Sequence, residues 1–296
     1  MDGMDLITPA NLVAALITLV PYLAVAFFQQ ATAARVRALP IWAQFAAPAV
    51  LCIPYALVAW GGGVFRWGWF ALYVVVPFAV AVLLWQARRA DASQRGNWRD
   101  YLILVALGLA VDLRWFEGAW PPHLAAFNKI LLLDAGIYGF VLIRQLEGTG
   151  FDLRLRIKDL GIGLREVFLY TPIALALGLG LGFLHLHPGW PDPGRAAVAW
   201  IFTFFFIAVP EELFFRGWLQ NLLEKRLGRY GALLLTACLF GLAHFNKRAT
   251  TFNWRYVILA AVAGIFYGRA WRQERRVGAS AVTHATVDTI WSLWLR

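Results

Sequence analysis

The chain runs to 296 residues, 60% of them hydrophobic, 16% aromatic and only 15% charged, where soluble domains average about 45–50% apolar and 25% charged. A soluble fold of this size has no core large enough to hide so much apolar surface, which excludes a water-soluble enzyme and, equally, a disordered chain. The net charge of +10, from 27 Lys and Arg against 17 Asp and Glu, reads in so apolar a chain as the loop asymmetry of a bilayer protein rather than a nucleic-acid footprint.

Apolar stretches of membrane length predict about ten spans, near 6–28, 39–60, 67–86, 101–111, 124–143, 166–187, 196–223, 230–245, 256–271 and 279–295, the fourth of them short. The expected fold is an all-α, polytopic transmembrane helical bundle of about eight to ten spans. Trp60, Trp67, Trp85, Trp98, Tyr101, Trp190, Trp254, Tyr256 and Trp271 stand at span ends, as an interfacial belt requires. The amino end, Met1 to Asp5, carries two Asp and no cationic side chain, unlike a secretory signal peptide, so the first span is expected to be retained. Cys52 and Cys238 lie inside apolar runs and read as small buried hydrophobes, with no disulfide or metal spacing.

Three regions follow in chain order. Residues 1–145 hold about five spans of unassigned role, with Asp134 the main intramembrane charge. Residues 146–165 form a basic connector whose alternation from Phe151 to Ile157 fits a short strand or, better, an amphipathic segment on the membrane surface. Residues 166–296 hold five more spans and nearly all the unusual polar residues; Pro21, Pro77, Pro172 and Pro210 are tolerated span prolines. With the amino terminus outside, 18 of the 27 cations fall in inner loops and span ends, among them Arg88, Arg89, Lys158, Arg229, Arg272 and Arg276. Seven fall outside, namely Arg66, Arg114, Arg195, Lys247, Arg248, Arg255 and Arg296, leaving Lys129 and Arg216 within spans.

An ionisable group near the bilayer centre costs roughly 2.5–3.5 kcal/mol on insertion scales and calls for a reason. The span 196–223 carries Pro210-Glu211-Glu212-Leu213-Phe214-Phe215-Arg216-Gly217. Glu212 and Arg216 are four apart and share a helix face, so they fit an ion pair. Glu211 lies about 100° round the helix without that partner, which suits a general base. The next span ends Phe240-Gly241-Leu242-Ala243-His244, and the last carries His284-Ala285-Thr286-Val287-Asp288, whose His and Asp are again four apart. Alone, His244 reads more often as a packing residue, and the His284–Asp288 pair reads equally as a helix-stabilising one. Together they place two Glu, an Arg, two His and an Asp in three nearby spans, where such groups face inward and meet. Those are the parts needed to activate water and stabilise an oxyanion. His185 and His187, two apart, diverge and read as interfacial.

The ordered triple Glu-Glu-x-x-x-Arg, Phe-x-x-x-His and His-x-x-x-Asp, extended by Phe215-Arg216-Gly217-x-Leu219-Gln220, resembles the CPBP family, the CAAX protease and bacteriocin-processing (Abi) group of intramembrane endopeptidases. The resemblance covers about residues 196–290. It implies Glu211 as the base that activates water, assisted by His244, with His284 and Asp288 near the oxyanion and Glu212 and Arg216 as the supporting pair. The prenyl-protease branch ends its last motif in Asn where this chain has Asp288, and an ionised Asp donates no hydrogen bond; it is expected to orient His284 or to bind a metal. No cofactor is favoured. The alternative is a divalent ion such as zinc on His244, His284, Asp288 and Glu211, although no His-Glu-x-x-His signature is present.

The expected protein is therefore an integral, multi-pass membrane protein of the bacterial inner (plasma) membrane, an endopeptidase acting on a membrane protein or peptide substrate. Its partners are that substrate and the lipid bilayer, with no nucleic acid. The competing functions are an ion- or proton-coupled transporter and a non-catalytic immunity or chaperone protein.

Overall fold

The computed structural model describes residues 8–187, 189–190, 192–247 and 251–295; the acidic amino end Met1–Asp5, Arg248 and Arg296 lie outside them. The fold is all-helical, 79% helix, with no strand among the described residues. The chain packs as two compact units, Met1–Glu147 and Gly148–Arg296.

The first unit contains α1 (Pro9–Ala38), α2 (Ile41–Gly61), α3 (Trp67–Ala90), α4 (Trp98–Asp112) and α5 (Ala126–Ile143). Thr8 caps α1 by accepting from the Asn11 N–H at 3.1 Å, and Asn97 with Asp100 forms a capping box at α4. The most apolar stretch of α5 is 78% buried, against 28–33% for the other three spans of this unit. Helix α5 is thus the centre, and the others turn most of their surface to lipid. Its end is pinned by Arg144, buried between Asp100 at 2.9 Å and Asp91 at 2.7 Å. Asp134, in the middle of α5, is 2% exposed, and neither of its carboxyl oxygens has a hydrogen-bond partner among the described residues.

The second unit opens with irregular backbone up to Arg156, then α6 (Ile157–Gly180), α7 (Pro193–Leu242), α8 (Trp254–Glu274) and α9 (Val277–Trp294). Helix α7 is two arms. Gly228 has φ +70° and ψ 177°, a conformation that side chains other than hydrogen resist, and it reverses the chain where Lys225, Arg226 and Arg229 cluster. The reversal sets the two arms side by side: Phe215 and Phe240, on opposite sides of Gly228 in the chain, meet edge to face at 5.0 Å. With Tyr170 of α6 and Ala260, Ala263, Phe266 and Tyr267 of α8 they form the core of the unit.

Lipid tails are as apolar as these side chains, so helix association rests on close packing. Gly241 shows how close: a Cβ there would stand 2.5 Å from the Val257 carbonyl oxygen. The stretch 148–156 is clamped on the α8–α9 turn. Val277 N–H donates to the Gly150 carbonyl at 2.9 Å. Arg276 donates to Asp159 at 2.9 Å, to Asp152 at 3.1 Å and to the Arg154 carbonyl at 2.8 Å.

Among the described residues, six helices are long and apolar enough to cross a bilayer: α1, α2, α3, α5, α6 and α7. They make this an integral, multi-pass membrane protein. Outside the six stand α4, with 15 residues, and α8 and α9, which carry arginines or the polar residues of the site. The two arms of α7 count there as one helix.

Candidate active site

Pro210 interrupts α7 by removing a backbone donor and crowding the preceding turn. The helix answers with wide π-type turns on both sides, Phe204–Ala208 and Leu213–Gln220, leaving Val209–Glu212 as a single α-helical turn between them. Such turns cost hydrogen-bond geometry and recur at functional sites. Both glutamates stand on this turn.

Glu212 is fully buried and occupied on both oxygens. Oε1 accepts from Arg216 Nη1 at 3.0 Å and from His284 Nδ1 at 2.8 Å, while Oε2 meets the Ser280 hydroxyl. The Ser280 hydroxyl also lies 2.9 Å from the Tyr267 carbonyl. Arg216 is buried too; its Nη2 donates to the Gly264 carbonyl at 3.0 Å, and its guanidinium lies 4.5 Å above the Phe240 ring. The expected Glu212–Arg216 pair is therefore present. It also holds α7, α8 and α9 together.

Glu211 faces elsewhere. Its side chain is 26% exposed, with Oε1 3.6 Å from Lys247 Nζ and Oε2 4.0 Å from His284 Nε2. His284 therefore presents carboxylates to both ring nitrogens. A carboxylate only accepts, so Nδ1 donates to Glu212, while Nε2 faces Glu211 and, at 3.5 Å, Asp288. The ring stacks on Tyr267 with centroids 4.6 Å apart. The i,i+4 spacing leads one to expect Asp288 as the partner that fixes the imidazole; the shorter bond comes instead from Glu212 on a neighbouring helix. Spacing puts His284 and Asp288 on one face but does not reveal which residue of α7 packs against that face.

His244, 5% exposed, donates from Nδ1 to the Phe240 carbonyl one turn back at 2.8 Å, which leaves Nε2 as the unprotonated nitrogen of the neutral ring. Beside it opens a cavity of about 720 Å³, mouth included, walled by α6, the second arm of α7, α8 and α9. His244, His284 and Asp288 reach its wall, along with Tyr170, Tyr256 and Tyr267; aliphatic and aromatic side chains such as Phe183, Leu259 and Trp291 make up most of the rest. A largely apolar concavity with a few converging polar groups is the usual form of a ligand site.

Among the described residues, no three His, Cys, Asp or Glu side chains converge closely enough to hold a metal ion. The Nδ1 atoms of both histidines are already engaged, His244 with a carbonyl and His284 with Glu212. His185 and His187 are both outside this cluster; His187 N–H donates to the Trp294 carbonyl at 2.9 Å.

Sequence reasoning misses three members of the constellation. Ser280 stands one turn before His284, so the face Ser280–His284–Asp288 was legible in principle. Lys247 follows His244 by three residues. Tyr267 carries no sequence signal beyond its apolar helix. No curated protein and no solved structure gives a significant match to the chain. Residues 193–290, a third of the chain, which contain Glu211, Glu212, Arg216, His244, His284 and Asp288, match the family model described as type II CAAX prenyl endopeptidase Rce1-like, in keeping with the CPBP/CAAX protease group that the motifs resemble.

Proposed function

We propose that the chain is an intramembrane endopeptidase that hydrolyses a peptide bond of a membrane-associated protein or peptide by a glutamate-activated water, without a metal. The reading is carried by the approach of Glu211 to His284, which with Asp288 and His244 lines an apolar cavity inside a helical unit. Glu211, the partly exposed carboxylate, takes a proton from water as its oxygen adds to the scissile carbonyl. His244 Nε2 accepts the water's second hydrogen bond and sets its direction. His284 donates from Nε2 to the oxyanion, and Asp288 keeps the proton on that nitrogen. Glu211 then returns its proton to the leaving amine. Glu212, Arg216 and Ser280 take no part in the transfers; they fix His284 from behind.

General-base assistance of this kind supplies about 10²–10⁴-fold, and a placed oxyanion donor roughly 10²–10³-fold. The apolar walls suit an apolar stretch of the substrate. The proposed site of action is the bacterial inner (plasma) membrane, with the cation-rich loops facing the cytoplasm.

The test compares membrane-proteome cleavage between cells carrying wild-type protein and cells carrying Glu211→Ala. New protein termini are expected with the wild type and absent with the variant; identical profiles would overturn the protease reading.

A further inference from the structure

We propose that Arg165 and Arg269 hold the headgroup of one anionic phospholipid, of the phosphatidylglycerol type, on the outer face of α6 and α8. The inference does not depend on the protease reading, because neither arginine belongs to the active site.

The two arginines converge on one carboxylate. Glu166 of α6 is fully buried. Arg165 Nη2 donates to its Oε1 at 2.5 Å, and Gln273 Nε2 reaches the same oxygen at 3.4 Å. Arg269 Nε comes across from α8 to stand 3.2 Å from Oε2. One glutamate neutralises only one guanidinium, so a positive charge is left over. Each guanidinium carries five N–H donors, and the remaining donors of this pair make no hydrogen bond among the described residues. Their side chains are 49% and 44% exposed. The pair is thus anchored on Glu166 and open outward. The neighbouring group on Glu224 differs, since Arg272 there is buried and Arg275 is engaged further by Asn221 at 3.1 Å.

The surroundings fit a lipid. Leu164 and Phe168, beside Arg165 on α6, are 54% and 78% exposed, an apolar surface for acyl chains. One turn before Arg165 stands Gly161, with open space where a Cβ would be. Lys158 Nζ meets Glu274 at 2.6 Å, which sets the start of α6 beside the end of α8. Arg269 lies roughly 8 Å in from that end and Arg165 roughly 12 Å, depths from which a long side chain reaches the headgroup layer. A surplus cation beside acyl chains calls for an anion. A phospholipid with one negative charge supplies it while its tails cover Leu164 and Phe168, and basic pockets between helices at the cytoplasmic side are where such headgroups bind. The headgroup also ties α6 to α8 next to the cavity wall: Tyr170, one turn after Glu166, meets Phe266 at 5.3 Å, and the Arg269 guanidinium lies 5.4 Å from the centre of the Phe266 ring.

The experiment places the full-length protein in detergent micelles with equal amounts of phosphatidylglycerol and phosphatidylcholine, and native mass spectrometry reads which lipid stays bound. The wild type is expected to retain one phosphatidylglycerol about fivefold over phosphatidylcholine, the yield of one surplus cation near a headgroup. Arg165→Gln and Arg269→Gln each leave Glu166 an arginine partner, and each is expected to bring the ratio close to one. Arg269→Lys keeps the charge and is expected to keep most of the preference. Arg229→Gln, at the exposed reversal, is expected to leave it unchanged. An equal loss in Arg229→Gln would mean diffuse attraction to the basic end and overturn the inference, as would no preference in the wild type. A merely structural pair would lower the unfolding midpoint of both glutamine variants and leave the lipid ratio alone, which also overturns it. Excess glycerophosphoglycerol, the headgroup without tails, is expected not to displace the lipid; displacement would assign the site to a soluble phosphate instead.

Discussion

Glu211 and Glu212 are adjacent in the chain and opposite in surroundings, and the difference is measurable. Glu212 neutralises a fully buried guanidinium and fixes His284, so removing it leaves Arg216 charged and uncompensated, at a cost of about 3–5 kcal/mol. Glu211 and its partner Lys247 are both partly exposed, and losing that contact costs little. Thermal unfolding of the purified protein should therefore show a large drop in midpoint for Glu212→Ala and almost none for Glu211→Ala, with activity abolished in both. Equal midpoints for the two variants would contradict this division of labour. The i,i+4 rule makes the Glu212–Arg216 pair legible in the sequence, because both residues sit on one helix. The Glu212–His284 bond crosses between helices, so it depends on depth and rotation that no spacing encodes. The same limit hid Lys247 and Tyr267.

At the scale of elements, apolar run length recovers the helices well, and the reversal at Gly228 is marked by the basic residues around it. The wide turns flanking Pro210 are not legible: a span proline says that a helix is perturbed, but not how the backbone absorbs it. The connector is the other surprise. Its alternating residues fit a strand or a surface helix, yet 148–156 is irregular: the carbonyls of Asp152 and Arg154 and the Asp152 carboxylate bond to the Arg276 side chain rather than to a neighbouring strand. Burial alone would raise the Asp152 carboxyl, but the Arg154 side chain and N–H, with Arg276, outweigh it and hold the group down at about 2. A carboxyl depressed in the folded state stabilises the clamp above its unfolded value, near ~3.9, and the contribution is lost as pH falls from there through about 2. Hydrogen exchange of the amides around 150–156 and 275–277 should accelerate, relative to the rest of the unit, as pH falls through that window. Asp152→Asn should show the faster exchange already at neutral pH; exchange unchanged in both experiments would mean that Asp152 does not hold the clamp.

At the scale of the whole molecule, the second unit has one basic end. Lys158 Nζ lies 2.6 Å from Glu274, Arg275 lies 2.6 Å from Glu224, and Arg272 donates to the Arg229 carbonyl at 3.5 Å. The start of α6, the Gly228 reversal and the α8–α9 turn therefore share that end. His187 and Trp294, hydrogen-bonded to each other, belong to stretches remote from it along α6 and α9, and the segment joining α7 to α8 is likewise remote along both its helices. The composition alone gave only an excess of cations; the packing gathers those of three segments on one face, where the positive-inside rule assigns them to the cytoplasm. Cysteine labelling tests the orientation in a background where Cys52 and Cys238 are replaced by Ala. Phe252→Cys, at an exposed position between α7 and α8, should react with a membrane-impermeant maleimide in intact spheroplasts. Arg229→Cys, at the exposed reversal, should react only after permeabilisation. The reverse pattern would place the basic end outside and overturn the orientation. The expected pattern would put Lys247, five residues before Phe252, on the side from which a secreted or surface-anchored peptide reaches the site.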